Sequence, residues 1–308
     1  MSARRYDFVD EGFLARLERL HLLAKRLAAQ GAAGVRRSRG LGDGLEFADH
    51  RDYAPGDDIR FIDWSYFARM EKLLLRMFHE HRERDVVILL DASGSMAPAL
   101  PGAAPRSAKF DYARQVTAAL AYVAMGALER VVVQPFADRL GGALRSGRNR
   151  LQVLEILDFL AALRPTGRTE LLSAVTRLAR AGTAGTRRGG MLLLVSDLLD
   201  AADELPEALS CLRAGGFDVT VIHVRAPEDA EPLTSGPVSV RDAETGRRLD
   251  LDVNDALQTA LRERFEAFAS GCEQACKTRG ATYVSAPTDL PFDRFVLHTL
   301  RRAGVVAG

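Results

Sequence analysis

The chain has 308 residues, with 42 Lys and Arg against 41 Asp and Glu, for a formal net charge of +1. That balance excludes a dedicated polyanion binder, which carries a strong basic excess, so no nucleic-acid partner is expected. Hydrophobic residues at 47% and charged residues at 27% exclude wholesale disorder, and a chain of this length buries a core without staples.

In chain order, the first expected element is a helix. Asp10 is placed to cap it, and Phe13, Leu17, Leu20, Ala24 and Leu27 recur at three- and four-residue steps on one face, with Gly31 and Gly34 ending it. A basic stretch (Arg36, Arg37, Arg39) and three alternating glycines (Gly40, Gly42, Gly44) follow. Residues 45–69 are dense in charge and aromatic rings around a Pro55-Gly56 turn, and Leu73, Leu75 and Met77 then alternate as in a strand. From residue 86 the character changes. All-apolar runs at 86–90, 131–133, 191–195 and 219–224 read as strands covered on both faces. Helical patterns lie between them near 108–128, 149–163, 170–181 and 203–214. Strands alternating with helices at this spacing predict an α/β fold with a mostly parallel sheet flanked by helices. A hairpin follows, with strands at 238–241 and 249–253 turning through Glu244, Thr245 and Gly246; it is expected as an insertion or an addition to the sheet edge. A helix over 254–277, a short strand near Tyr283 and a final helix from Pro291 complete the pattern.

The longest mainly apolar stretch, residues 116–128, is thirteen residues, short of the roughly 18 that a membrane span needs. Charges run throughout residues 1–30, so no signal peptide is expected. Three cysteines cannot all pair. The expectation is a reduced, cytoplasmic protein.

The sharpest local signal is Asp91-Ala92-Ser93-Gly94-Ser95, directly after the first buried strand. Ligands of open α/β sheets bind at the carboxyl ends of strands, where strand order reverses. One carboxylate and two hydroxyls there are hard oxygens suited to a small hard cation. Thr169, in the loop from Pro165 that opens a helix, and Asp197, after the 191–195 run and Ser196, follow the same rule. Asp91, Ser93, Ser95, Thr169 and Asp197 are therefore expected to converge on one sheet edge. The plainer alternative is that Asp91 and the serines cap a helix.

This constellation resembles the von Willebrand factor type A domain and its metal-ion-dependent adhesion site. The Asp-x-Ser-x-Ser motif matches Asp91, Ser93 and Ser95, the loop threonine matches Thr169, and the aspartate after a later strand matches Asp197. The resemblance implies a doubly wound sheet and a Mg²⁺ (or Mn²⁺) ion held by the three hydroxyls. The aspartates would contact it directly or through water, and one position would stay open for a partner's carboxylate. Two carboxylates neutralise a divalent ion without filling its octahedral shell, which is consistent with such a vacancy.

Further upstream, Gly44-Leu45-Glu46-Phe47, Arg51-Asp52-Tyr53, Pro55-Gly56-Asp57-Asp58, Arg60, Ile62-Asp63-Trp64 and Ala68-Arg69 resemble the signature of domain-of-unknown-function family 58. That resemblance covers nearly the whole chain. It implies an N-terminal extension over residues 1–84 and a von Willebrand factor A-like domain over 85–308. It also implies a soluble adaptor or chaperone-like partner of a MoxR-type AAA+ ATPase, acting on an unidentified protein client. Arg51, Arg60 and Trp64 are candidate partner-binding anchors, because Trp and Arg dominate interface hot spots. The preferred reading is internal: the two arginines pair with the acids around them, and Trp64 packs on the sheet.

Other signals carry less. His79 and His81 flank Glu80 without the further ligands that zinc needs. Cys272 and Cys276 stand one helical turn apart and read as small buried thiols. The glycines at 40, 42 and 44 lead into acids and make a poor phosphate cradle. No Gly-x-x-x-x-Gly-Lys motif occurs, which agrees with reliance on a separate ATPase. Phosphotransferases that use an aspartyl nucleophile need an acid two residues on, where Ser93 stands, and His223 fits no triad order. The expected function is a non-enzymatic, metal-dependent interaction module. The alternatives are a metal-independent scaffold docking through the N-terminal segment, or a Mg²⁺-dependent phosphatase.

Overall fold

A computed structural model describes residues 6–31, 46–54, 57–79, 85–97, 109–127, 129–146, 152–180, 190–230 and 235–302. Gly34, the basic stretch after it, the glycines at 40, 42 and 44, the Pro55-Gly56 turn and His81 lie outside these residues. In chain order the elements begin with helix α1 (Phe13–Gly31), strand β1 (Glu46–Asp52), helix α2 (Trp64–Met70) and strands β2 (Leu74–His79) and β3 (Asp85–Asp91). Next come α3 (Lys109–Gly126), β4 (Arg130–Phe136), β5 (Leu144–Ser146), α4 (Val153–Ala162), α5 (Leu171–Arg180), β6 (Met191–Ser196) and α6 (Leu205–Ala214). The remainder is β7 (Asp218–Arg225), α7 (Pro227–Ala230), β8 (Gly236–Arg241), β9 (Arg248–Val253), α8 (Asp255–Thr278), β10 (Thr282–Pro287) and α9 (Phe292–Arg302). By internal contact the chain divides into two units, Met1–Ala33 with Arg84–Gly308, and Gly34–Glu83.

The larger unit is built on a six-stranded sheet of order β10-β7-β6-β3-β4-β5, parallel except for β5, which runs antiparallel to β4. Period-two alternation along β3 explains its all-apolar sequence. Val86, Ile88 and Leu90 enter a core lined by α1, α3, α4 and α9, whereas Val87 and Leu89 enter a second core lined by α5, α6 and α8. A strand covered on both faces has no polar side to show, and Val86 to Leu90 are all at most 2% exposed. The doubly wound, mostly parallel fold expected from the sequence is present. No helix among the described residues is long and apolar enough to cross a membrane.

Close backbone approach at the start of β6 gives one position a sharp requirement. A Cβ on Gly190 would stand 2.5 Å from the Asp85 carbonyl oxygen, while the Gly190 carbonyl accepts from Asp218 N at 2.8 Å. Gly190→Ala is expected to lower the urea midpoint by an amount equivalent to about 1–3 kcal/mol of overpacking. Gly142→Ala, whose Cβ meets nothing within 4 Å, should leave it unchanged.

The β8–β9 hairpin forms its own two-stranded sheet. It is an insertion between β7 and α8, not an addition to the sheet edge, because β10 takes the place beside β7. Its strands carry Arg241, Arg248, Asp250 and Asp252 and stay largely exposed, a composition that a covered strand does not tolerate. Asn254 caps α8 by accepting from Leu257 N. Cys272 and Cys276 lie buried on α8, where burial pushes their thiols up to about 11 and about 12; both are protonated and inert at neutral pH.

In the smaller unit β1 pairs antiparallel with β2 through an irregularity between Phe47 and Asp49. Asp63 caps α2, its Oδ1 accepting from Tyr66 N at 2.9 Å and its Oδ2 lying 3.0 Å from His50 Nε2. Arg51 pairs with Asp57 at 2.7 Å and Arg60 with Asp58 at 2.6 Å. Trp64 departs from the expectation that it packs on a sheet: it is 56% exposed and meets Phe67 edge-on. It stands at the first position of a seven-residue helix, too short to offer the long apolar stripe that would bury it.

Candidate functional site

Strand order reverses between β3 and β6. The chain leaves β3 for β4 on one side and leaves β6 for β7 on the other, which makes the crevice at their carboxyl ends the place where such sheets bind ligands. Asp91 ends β3 and Ser196 ends β6, with Asp197 next.

Asp91 is fully buried. Its Oδ1 accepts from Ser93 N at 2.9 Å and its Oδ2 from Ser196 Oγ at 2.5 Å. Ser93 Oγ and Ser95 Oγ are 3.0 Å apart, and Ser95 Oγ donates to Asp197 Oδ1 at 3.2 Å. Asp91, Ser93, Ser95 and Asp197 are thus joined in one network across the switch point. Leu198, buried beside them, has a φ of +59°, a left-handed conformation that a bulky residue adopts only under constraint. Its N–H donates to Ser196 Oγ, so the strained turn fixes both Ser196 and Asp197.

Thr169 arrives by its loop. Thr166 N donates to Ala92 O at 2.8 Å and Gly94 N to Gly167 O at 2.9 Å, and Gly167 sits at φ +84°, where a Cβ is strained. Its side chain is engaged elsewhere, however. Thr169 Oγ1 donates to Glu244 Oε1 at 2.7 Å and Thr169 N to Glu244 Oε2 at 3.0 Å.

No sequence motif marks Lys109, which the fold brings into the same network. Its Nζ donates to Asp197 Oδ2 at 2.6 Å and to Asp229 Oδ1 at 2.9 Å, with only 7% of its side chain exposed. Burial pulls this ammonium down, but Asp197 and Asp229 outweigh burial and hold it above the usual lysine value. Burial first, then the charge of Asp197, pushes the Asp91 carboxyl up to about 7 against the hydrogen bonds from Ser196 and Ser93. His223, buried below the site with Nδ1 2.7 Å from Tyr283 Oη, is pushed down by burial to about 4 and stays neutral.

These charges test whether a cation fits. Lys109 Nζ binds two carboxylates, Asp197 and Asp229, and the charge of Asp197 helps to push up Asp91 beside it, so one ammonium leaves these three acids with an excess of up to two negative charges. A divalent ion is the matching charge, and the donors are all hard oxygens. Helix capping accounts for the Ser93 N bond to Asp91 and leaves this charge excess unexplained. Among the described residues no three His, Cys, Asp or Glu side chains are placed to hold a metal; the remaining oxygens of the cluster are hydroxyls. Asp91, Ser93, Ser95, Thr169 and Asp197 all stand in this crevice or in a loop bonded to it, whereas Arg51, Arg60 and Trp64 belong to the smaller unit.

A family model described as "Protein of unknown function DUF58" matches residues 49–274. The chain is 27% identical to the uncharacterized protein Rv1480 of Mycobacterium tuberculosis, over 100% of this chain and 95% of that one. Among solved structures it is similar to the conserved hypothetical protein BatB of Bacteroides thetaiotaomicron, with 16% identity, TM-score 0.43, and coverage of 72% of this chain and 99% of that one. It is also similar to proximal thread matrix protein 1 of the mussel byssus, described with a zinc-occupied MIDAS motif, with 13% identity, TM-score 0.38, and coverage of 71% and 45%.

Proposed function

The chain belongs to the DUF58 family, and from that premise we propose that it is a non-catalytic protein-interaction module whose β3–β6 crevice holds Mg²⁺ or Mn²⁺ and takes up a partner's carboxylate. Asp91 and Asp197 supply the charge; Ser93, Ser95 and Thr169 supply hydroxyl oxygens. The cation, when bound, offers a hard Lewis-acidic centre with room for one outside acid. The observation that carries the reading is the meeting of Asp91, Ser93, Ser95 and Asp197, all hard oxygens, in one hydrogen-bonded network at the β3–β6 switch point. A MoxR-type AAA+ ATPase is the proposed partner that assembles or releases the client, and the cytoplasm the proposed compartment. Catalysis is disfavoured by chemistry: Ser93 stands where an aspartyl phosphotransferase needs its acid, and His223 is held by Tyr283. Capture of the ATPase by the immobilised protein should fail in EDTA and return with Mg²⁺.

One observation favours a second reading, metal-independent docking through the smaller unit. Trp64, Ile59 and Met70 there are 56%, 61% and 58% exposed, large apolar side chains of the kind that anchor interfaces. Under that reading capture survives EDTA and is lost on Trp64→Ala.

A further inference from the structure

Glu244 lies at the tip of the β8–β9 hairpin, far from the strands that carry the site, yet it engages the site's loop with both carboxylate oxygens. Thr169 donates to it from its backbone N–H and from its hydroxyl. The neighbouring residue reaches the other loop: a Cβ on Gly94 would stand 2.9 Å from Ala243 O. So the tip closes over Gly94 and Thr169 together, between the Asp91–Ser95 turn and the loop before α5.

The tip is rigid and its arm is weakly held. Asp242 Oδ1 accepts from Glu244 N at 3.0 Å and from Thr245 N at 2.6 Å, and Gly246 turns the chain at φ +71°. The two strands behind it expose Val240 and Leu249 by 48% and 60%, and an isolated two-stranded hairpin is at best marginal in water. Segments with few buried apolar contacts open at low free-energy cost. Burial first, then the charges of Glu244, Asp242 and Asp197, push the Asp200 carboxyl up, so this edge of the crevice is already crowded with acids.

We propose that the hairpin is a built-in cover, and that Glu244 holds on Thr169 the seat that a partner's carboxylate takes when the hairpin swings away. This rests on the metal-dependent reading above and adds its regulation. A free carboxylate then competes with one tethered in the same chain, and its apparent affinity falls by the fraction of molecules whose hairpin is open.

The test uses the full chain, saturating Mg²⁺ and the blocked peptide acetyl-Gly-Glu-Gly-amide as probe. Mg²⁺ binding is first measured by calorimetry on the unaltered protein. Glu244→Gln and Asp242→Ala, the latter loosening the turn without touching the seat, are expected to bind the peptide about tenfold or more tightly than the unaltered chain. Adding peptide to the unaltered chain should speed amide exchange in residues 236–253. The glutamine version of the peptide should do neither. Equal peptide affinity in all three proteins with Mg²⁺ bound, or no peptide binding at all, overturns the cover alone. No Mg²⁺ binding overturns the reading beneath it as well.

Discussion

Asp91→Asn should abolish the response of this protein to Mg²⁺. For the unaltered chain, a cation at a hundred times its dissociation constant stabilises the fold by about 2.7 kcal/mol through mass action, a rise of several degrees in melting temperature. With the carboxylate gone that rise should vanish. The substitution should also change how stability depends on pH in EDTA. The folded-state value of Asp91, about 7, lies above its ordinary 3.8. Its contribution is therefore fully present below pH 4 and is lost as pH climbs through 7. At about 1.4 kcal/mol per tenfold change in proton affinity, the loss approaches roughly 4 kcal/mol. Asn removes this slope, although one of the two groups that donate to Asp91 then lacks an acceptor, at a cost of about 1–3 kcal/mol. The slope across pH 4 to 7 and the Mg²⁺ increment are the readouts, both from thermal melts. A Mg²⁺ rise that survives in Asp91→Asn would refute the metal assignment.

Lys109→Met should carry a large cost and a clear rescue. Removing the ammonium leaves Asp197, with 1% of its side chain exposed, as an uncompensated buried charge, which destabilises by about 3–5 kcal/mol. The charge deficit that a cation has to meet grows by one. Mg²⁺ should accordingly bind this variant about tenfold more tightly and restore part of the lost stability, about 1.4 kcal/mol for each tenfold gain in affinity. Chemical unfolding with and without Mg²⁺ checks both. An identical Mg²⁺ increment in variant and parent would mean that Lys109 and the cation do not share Asp197.

What could be read from the chain and what could not divides along physical lines. The 86–90 and 191–195 runs were legible because a parallel strand covered on both faces must be apolar throughout. Asp91 and Asp197 were legible because they directly follow those runs. Lys109 was not, because its role depends on where the first turn of α3 lands beside β6, and one lysine at a helix start has no distinguishing pattern. Glu244 showed only as a turn residue, since hairpin reach is a tertiary property. Strand β1, Glu46-Phe-Ala-Asp-His-Arg-Asp, has no clean alternation to betray it. Trp64 misled because large aromatics are usually well buried. The hairpin was placed correctly along the chain, but the choice between insertion and edge strand required knowing that β10 claims the edge.

The neighbour relation of β3 and β6 also bears on how the polypeptide is made. Ser196 and Asp91 meet across a separation of 105 positions, so on the ribosome the greasy β3 segment emerges well before the strand that shields its flank. Distant parallel pairings of this kind form slowly and leave sticky surface exposed meanwhile. The partnership of β3 with β4 and α3, which follow it closely, is the shelter available to the nascent chain, and the crevice between β3 and β6 is among the last parts to mature.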